Sequence, residues 1–238
     1  MTAKRIIVTT SWDDGGPIDE KLSHLLQDYA IKASFYVIRD IVEKSSCRLL
    51  IKELDKNFEI GAHTLSHPIL SNLRSENAMA EIKGSKKYLE ELLHHRVEMF
   101  CYPKGRYNDQ TVELVKQAGF LGARTTNLEL GFPRNPFLFG VSSHASNGSP
   151  LLRLKFSLKS RLSIRSLIDW SVNAKLLFDH ILKKGGIWHL WGHSWEIENN
   201  SDWKKLEDVF EYISNRTNVS YLENGQIIKT MCLQGNSI

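Results

Sequence analysis

Residues 5–38, RIIVTTSWDDGGPIDEKLSHLLQDYAIKASFYVI, decide the fold. Lys4–Thr10 is rich in β-branched residues and reads as a buried strand. Behind it, Ile18, Leu22, Leu25 and Leu26 recur with a helical period across Ile18–Asp28. Ala33–Ile38 then reads as a second strand. Strand, helix and strand in immediate succession is the unit from which parallel sheets are built.

The same alternation continues outward. A short helix is expected at Leu49–Lys56, capped by Ser45 or Ser46, and a strand at Glu59–His63. A long helix follows over Ser75–Leu93, with Ser75 as N-cap and Ala78, Ile82, Leu89, Leu92 and Leu93 facing inward. Next come a strand at Glu98–Tyr102, a helix at Asp109–Ala118 opened by Asn108 or Asp109 and closed by Gly119, and a strand at Phe120–Thr125. Thr126–Arg165 breaks the rhythm with clusters of Gly, Pro, Asn and Ser. Order returns with a helix near Ile168–Lys183, a strand at Gly186–Leu190, a helix at Trp203–Ile213 and a strand near Val219–Leu222. About seven such units, with neither a linker nor an internal repeat, point to one α/β barrel domain over residues 1–238, carrying an irregular insertion at about 126–165.

Composition narrows the function classes. The chain has 238 residues, of which 42% are hydrophobic and 10% aromatic, which excludes a disordered protein. No run of about 18 apolar residues is present, so no spanning helix is expected. Met1–Arg5 is followed only by Ile6, Ile7 and Val8 before threonines, unlike a secretory signal. Cys47, Cys101 and Cys232 are widely spaced and odd in number, which excludes a disulfide framework and suits a reducing cytoplasm. A cytoplasmic protein is therefore expected, with membrane-peripheral placement as an option. The net charge of +4 does not mark a nucleic-acid binder. Its basic excess concentrates between Ser149 and Arg165, where Arg153, Lys155, Lys159, Arg161 and Arg165 alternate with Leu152, Leu154, Phe156 and Leu158. That segment either packs as a solvated insertion or faces an anionic membrane or a lipid-linked substrate. Sequence leaves the oligomeric state open.

Strand-then-helix folds carry their sites where the strands end. Asp13 and Asp14 end the first strand and precede Gly15-Gly16, so their side chains leave the backbone in different directions and serve different roles. His63 and His67 follow the third strand at i and i+4, a spacing that places both on one face of a helical turn and lets both reach one metal. With one Asp they make an open three-ligand set, suited to Zn²⁺ with Co²⁺, Ni²⁺, Fe²⁺ and Mn²⁺ left open. After the fourth strand, Cys101-Tyr102-Pro103-Lys104-Gly105-Arg106-Tyr107-Asn108 forms an irregular loop whose backbone N–H groups can face an oxyanion. Late in the chain, WHLWGHSWE (Trp188–Glu196) places His189 and Trp191 on one strand face and His193 in the exit turn, a candidate general acid among indoles that suit sugar rings.

In this order, Asp13-Asp14-Gly15, His63-Thr64-Leu65-Ser66-His67, Tyr102-Pro103-Lys104-Gly105 and His193-Ser194-Trp195-Glu196 resemble the motifs of the NodB-type polysaccharide deacetylases, carbohydrate esterase family 4. The resemblance runs from residue 5 to about 225. It implies a distorted (β/α)7 barrel and a divalent-metal-dependent hydrolase that removes N-acetyl groups from amino sugars of a glycan or glycan precursor. It also implies Asp13 as general base, Asp14, His63 and His67 as metal ligands, the Lys104 N–H as oxyanion donor and His193 as acid. Tyr102, Trp191, Trp195 and Arg124 are expected against the substrate. Two positions depart from the pattern. Cys101 stands where many members carry the Arg that pairs with the base, so either Arg106 or Arg124 supplies that charge or Asp13 is less clamped. The fourth motif, whose Asp buttresses the catalytic His, survives at best as Asp169-Trp170. Two alternatives stay open: an amidase or deformylase on a related N-acyl substrate, and a non-catalytic carbohydrate-binding relative.

Overall fold

The structure is a computed structural model that describes residues 4–147 and 169–235, with side chains to residue 232. The basic segment between Ser149 and Arg165 lies outside the described residues. Strands β1 (Ile6–Asp14), β2 (Ala33–Val37), β3 (Glu59–Ala62), β4 (Met99–Cys101) and β5 (Gly122–Leu128) pair in parallel, in sequence order. On the other side of β1 lies β8 (Gly186–Gly192), also parallel. The two edges meet through one stretch of chain. β6 (Phe139–Val141) pairs with β5, and β7 (Ser143–His144) pairs with β8, with only Ser142 between them. Counting that bent stretch as one stave gives the seven staves of a distorted, nearly closed (β/α)7 barrel. β9 (Ser220–Tyr221) adds to β1 off this path.

Strand periodicity then decides what lies inside. Along β1, Ile6, Val8 and Trp12 pack outward against the helices, whereas Ile7 joins Tyr36, Met99, Cys101, Phe139 and Ile187 in a separate inner cluster. Asp13 shares the parity of Ile7, so the same alternation aims its carboxylate inward. Cys101 sits opposite Arg124 in the β4–β5 register, and these two side chains also belong to the inner face. The bottom of the barrel is closed by the last helix, Asn224–Gly235, which contributes Ile227 and Ile228 to the inner cluster. There the Asn224 amide donates to the Tyr36 hydroxyl at 2.9 Å, and its carbonyl accepts from Thr9 at 2.9 Å. The open end is therefore the one where β1, β3, β4 and β8 terminate.

Several expected boundaries shift for local reasons. Within the expected insertion at 126–165, the described part, residues 126–147, is less irregular than its composition suggests, because β5 runs on to Leu128 and this part supplies both β6 and β7. A helix at Arg39–Lys44 was hidden in a short polar stretch, and the Asp40 N–H donates to the Leu65 carbonyl at 3.0 Å. Ser75 is the first helical residue rather than the cap, which is Arg74, and the Ser75 hydroxyl accepts from Gln110. Neither Ser45 nor Ser46 caps the next helix. It starts after Cys47, and Ser45 donates back to the Ile41 carbonyl of the preceding one. Asn108 does cap the helix Asp109–Gln117, through a reciprocal capping box with Thr111. Among the described residues, no helix is long and apolar enough to cross a membrane.

Candidate active site

At the end of β1 the backbone enters the left-handed region at Asp14 (φ 87°) and again at Gly15 (φ 83°). For Asp14 that conformation is strained. It turns the carboxylate out of the strand alternation, so Asp13 stays buried inside the barrel while Asp14 is half-buried at its rim. The two adjacent carboxylates thus occupy different places, as their adjacency required.

The histidine pair is reached differently from the expected helical turn. His63 to His67 form a loop in which Thr64 (φ 70°) and His67 (φ 61°) are both left-handed. The His67 N–H donates to the Thr64 hydroxyl at 2.9 Å, folding the loop back so that the two rings lie 4.7 Å apart. Glu81, on the long helix Ser75–Leu93, pins this loop from outside. Its carboxylate accepts from the Leu65 N–H at 2.9 Å, the Ser66 N–H at 3.0 Å and the Ser66 hydroxyl at 2.7 Å. Sequence gave no sign of this contact, since Glu81 is one of many charges on a solvated helix.

Asp14, His63 and His67 bring one donor atom each to within 4.8 Å of one another. His63 donates through Nδ1 to the Cys101 carbonyl at 2.8 Å, which leaves the lone pair on Nε2. Burial pushes His63 down to about 4, against the opposing charges of Asp13 and Asp14, so its ring is neutral near pH 7. Burial also lowers His67. Two neutral imidazoles and a carboxylate on a partly open rim are a fitting donor set for a divalent cation. Trp195 donates from its indole to the Asp14 carboxylate at 2.8 Å, fixing the orientation of that donor.

Asp13 lies behind this triad. Burial alone would raise its pKa, but the Arg124 guanidinium, with His63 and His193 nearby, outweighs that and holds it below the usual carboxylate range. Arg124 pairs directly with Asp13, and both side chains are almost wholly buried. The guanidinium is also stacked between the rings of Tyr36 and Trp191, with its central carbon 5.3 Å and 5.0 Å from their centroids. The choice between Arg106 and Arg124 is thereby settled for Arg124, since Arg106 is exposed beyond the loop. Cys101 occupies the register position opposite Arg124, so the charge expected from position 101 is supplied by the neighbouring strand. The Cys101 thiol, 3.8 Å from Asp13, is buried and raised well above its ordinary value, which excludes it as a nucleophile at neutral pH.

The loop after β4 places Lys104 in the left-handed region (φ 56°) within the turn Pro103–Gly105, with its side chain exposed. Tyr102 is fully buried, and its hydroxyl donates to the Phe137 carbonyl at 3.2 Å. Tyr102 and Arg124 therefore serve as a packed wall and a buried counter-charge, which corrects the expectation that they touch substrate. Trp191 is half-buried, with Arg124 and His144 against its ring, whereas Trp195 is 43% exposed.

Two histidines of the late motif have separate fates. His189 is buried between the Ser11 hydroxyl (2.9 Å) and the Gly140 carbonyl (2.9 Å), and burial drives its pKa down to about 3. It is a neutral structural residue. His193 sits at the exit of β8, and its Nδ1 donates to Glu196 at 2.6 Å. Burial works to lower its pKa, yet the bond to Glu196 and the charges of Asp13 and Asp14 leave it raised. Asp169 plays no part in this, because it caps the helix Trp170–Lys184 by accepting from the Ser171 N–H. The buttress comes instead from Glu196, in the first turn of the helix Ser194–Asn199. Glu196 is held down at about 2 despite burial by its bonds to His144 and His193. A further buried acid, Asp19, lies at the start of the helix Asp19–Asp28. Burial pushes it up to about 7, opposed by Ser194 and His193.

The barrel carries at its strand ends an aspartate pair, a looped histidine pair and a buttressed histidine, a combination that the comparisons with known proteins place in one family. Residues 1–123 match the family model described as polysaccharide deacetylase, and this chain belongs to that family. A 117-residue stretch is 30% identical to the peptidoglycan-N-acetylglucosamine deacetylase of Bacillus cereus, covering 48% of this chain and 54% of that protein. A 110-residue stretch is 32% identical to chitin deacetylase 1 of Cryptococcus neoformans, covering 46% of this chain and 23% of that protein. The chain thus spans about half or less of the length of the curated relatives it matches. Over nearly the whole chain, the fold is that of the chitin deacetylase of Colletotrichum lindemuthianum, with a TM-score of 0.66 at 14% identity, covering 95% of this chain and 88% of that one.

Proposed function

We propose that this protein is a metal-dependent N-deacetylase that hydrolyses the acetamide of an amino sugar within a glycan, releasing acetate and a free amine. The observation that carries this reading is the division of labour around Asp13. A buried carboxylate is kept ionised by Arg124 beside a three-donor cation set, with a raised-pKa histidine facing both.

Asp14, His63 and His67 would hold the metal, for which Zn²⁺ is the best-suited ion. When bound it polarises the acetamide carbonyl and acidifies the attacking water. Asp13 accepts the proton of that water as its oxygen attacks the carbonyl carbon. The developing oxyanion is received by the N–H of Lys104, in the left-handed turn that follows β4. His193 then passes its proton to the nitrogen as the C–N bond breaks, and Glu196 steadies the imidazolium until it does so. Trp195, whose ring is 43% exposed, supplies a face on which a sugar ring stacks. The names of the relatives support this chemistry, since those enzymes act on N-acetylated sugar polymers.

The test is acetate release from N-acetylglucosamine oligomers and from peptidoglycan fragments. Activity is expected to vanish with a chelator and return with one equivalent of Zn²⁺. Protein that binds the metal but releases acetate from none of these glycans would refute the proposal.

A further inference from the structure

His193 belongs to a second cluster whose full composition the deacetylation reading does not require. His144 comes from β7, His193 from the end of β8 and Glu196 from the helix that follows. Their donor atoms lie within 4.8 Å of one another, and none of the three belongs to the Asp14, His63 and His67 set. The Glu196 Oε2 is 2.6 Å from His193 Nδ1 and 3.0 Å from His144 Nε2.

The cluster is held in place. The ring of His144 stacks on Trp191 at 4.0 Å, with an interplanar angle of 11°. His193 is flanked by Trp191 at 5.6 Å and Trp195 at 5.0 Å. All three ligand side chains are 18–24% exposed, which leaves one side open to water. Orienting His193 needs one carboxylate, and Glu196 alone provides it. A second imidazole on the same oxygen adds nothing to that task, but it completes the two-nitrogen, one-oxygen donor set of an open zinc site. Ligand atoms around a tetrahedral Zn²⁺, at bond lengths of about 2.0–2.2 Å, stand about 3.3 Å apart. To reach that spacing the Glu196 oxygen moves about 0.7 Å away from His193 Nδ1 and about 0.3 Å away from His144 Nε2.

We propose that His144, His193 and Glu196 form a second divalent-cation site, selective for Zn²⁺-like ions, whose occupation inhibits the enzyme. The cation replaces the proton on His193 Nδ1, and that proton leaves to solvent. The ring keeps its other N–H but loses the positive charge that made it an acid. The inhibition rests on the deacetylase reading above, whereas the binding site does not.

Calorimetric titration of metal-free protein with Zn²⁺ alone decides the matter. Wild type is expected to show two sites. His144→Ala should show one, and the retained first site also certifies that the variant is folded. Asp14→Ala/His67→Ala should likewise keep one. In the glycan assay, excess Zn²⁺ should lower wild-type acetate release at least tenfold relative to one equivalent, and His144→Ala should lose most of that sensitivity. A single site in wild type overturns the proposal, as does a second site that persists in both His144→Ala and Glu196→Gln. Two sites without any acetate release would overturn the deacetylase reading and leave the cation site standing.

Discussion

The arc of the barrel from β1 to β4 and the arc from β5 to β8 build one site by opposite means. The first arc delivers its groups from loops at strand ends, through left-handed backbone at Asp14, Thr64, His67 and Lys104. The second works largely from within regular strands, where Arg124, His189 and Trp191 take their positions from side-chain alternation. A donor placed by an unusual backbone path is tied to its loop. A charge placed by strand register can be supplied from the next strand without disturbing any backbone. Arg124 opposite Cys101 is such an exchange. Glu196 in place of Asp169 is the corresponding exchange behind His193.

The largest expected effect comes from cutting the link between the arcs. Asp13→Asn should reduce turnover by about 10²–10⁴, the usual reach of general acid–base catalysis, while metal content stays intact. It also strands a buried guanidinium, which costs about 3–5 kcal/mol when the partner of a buried pair is lost. Urea midpoints should show that loss. Asp13→Asn/Arg124→Met should recover much of the stability and none of the activity. Equal midpoints for the single and double variants would mean the pair does not bear charge. The sign with pH follows from the lowered pKa of Asp13. The stability it contributes is present above its unfolded value of about 3.9 and is lost as pH falls through the folded value.

A smaller effect is expected from the second exchange. Glu196 is the leading contribution that raises His193 against burial. Glu196→Gln should therefore lower the His193 pKa and move the alkaline limb of the rate profile to lower pH, with kcat reduced about 10–100-fold at neutral pH. Asp169→Asn should leave that limb where it is, because Asp169 only caps a helix. The opposite pattern would restore Asp169 as the buttress.

These two arcs also mark what sequence could disclose. The order of strands and helices followed from apolar periodicity, and Asp13, Asp14, His63, His67 and His193 followed from motifs that are short and contiguous. The helical turn assigned to His63–His67 did not survive, because i, i+4 spacing describes a separation and not the path that achieves it. Glu81, Arg124 and Glu196 act across 15, 111 and 3 residues on Ser66, Asp13 and His193 respectively. Only the register of β4 with β5 makes Arg124 the equivalent of a residue at 101. β6 and β7 were missed because three- and two-residue strands are too short to display a period.

The smallest effect tests a contact by which the second arc reaches a donor of the first. The Trp195 indole holds the Asp14 carboxylate at 2.8 Å while 43% of the residue stays exposed to whatever enters the open end. Its two roles are separable. Trp195→Phe keeps an aromatic face and removes the N–H, so metal affinity should fall about tenfold, the lower end of what lost outer contacts to a ligand cost. KM for a glycan should move little, since stacking needs only the ring. Trp195→Ala should add a rise in KM to the same loss of affinity. Chelator competition and initial rates read the two quantities apart. If Trp195→Phe binds metal as tightly as wild type, Asp14 is oriented by its own left-handed backbone alone, and the first arc needs nothing from the second to assemble its cation site.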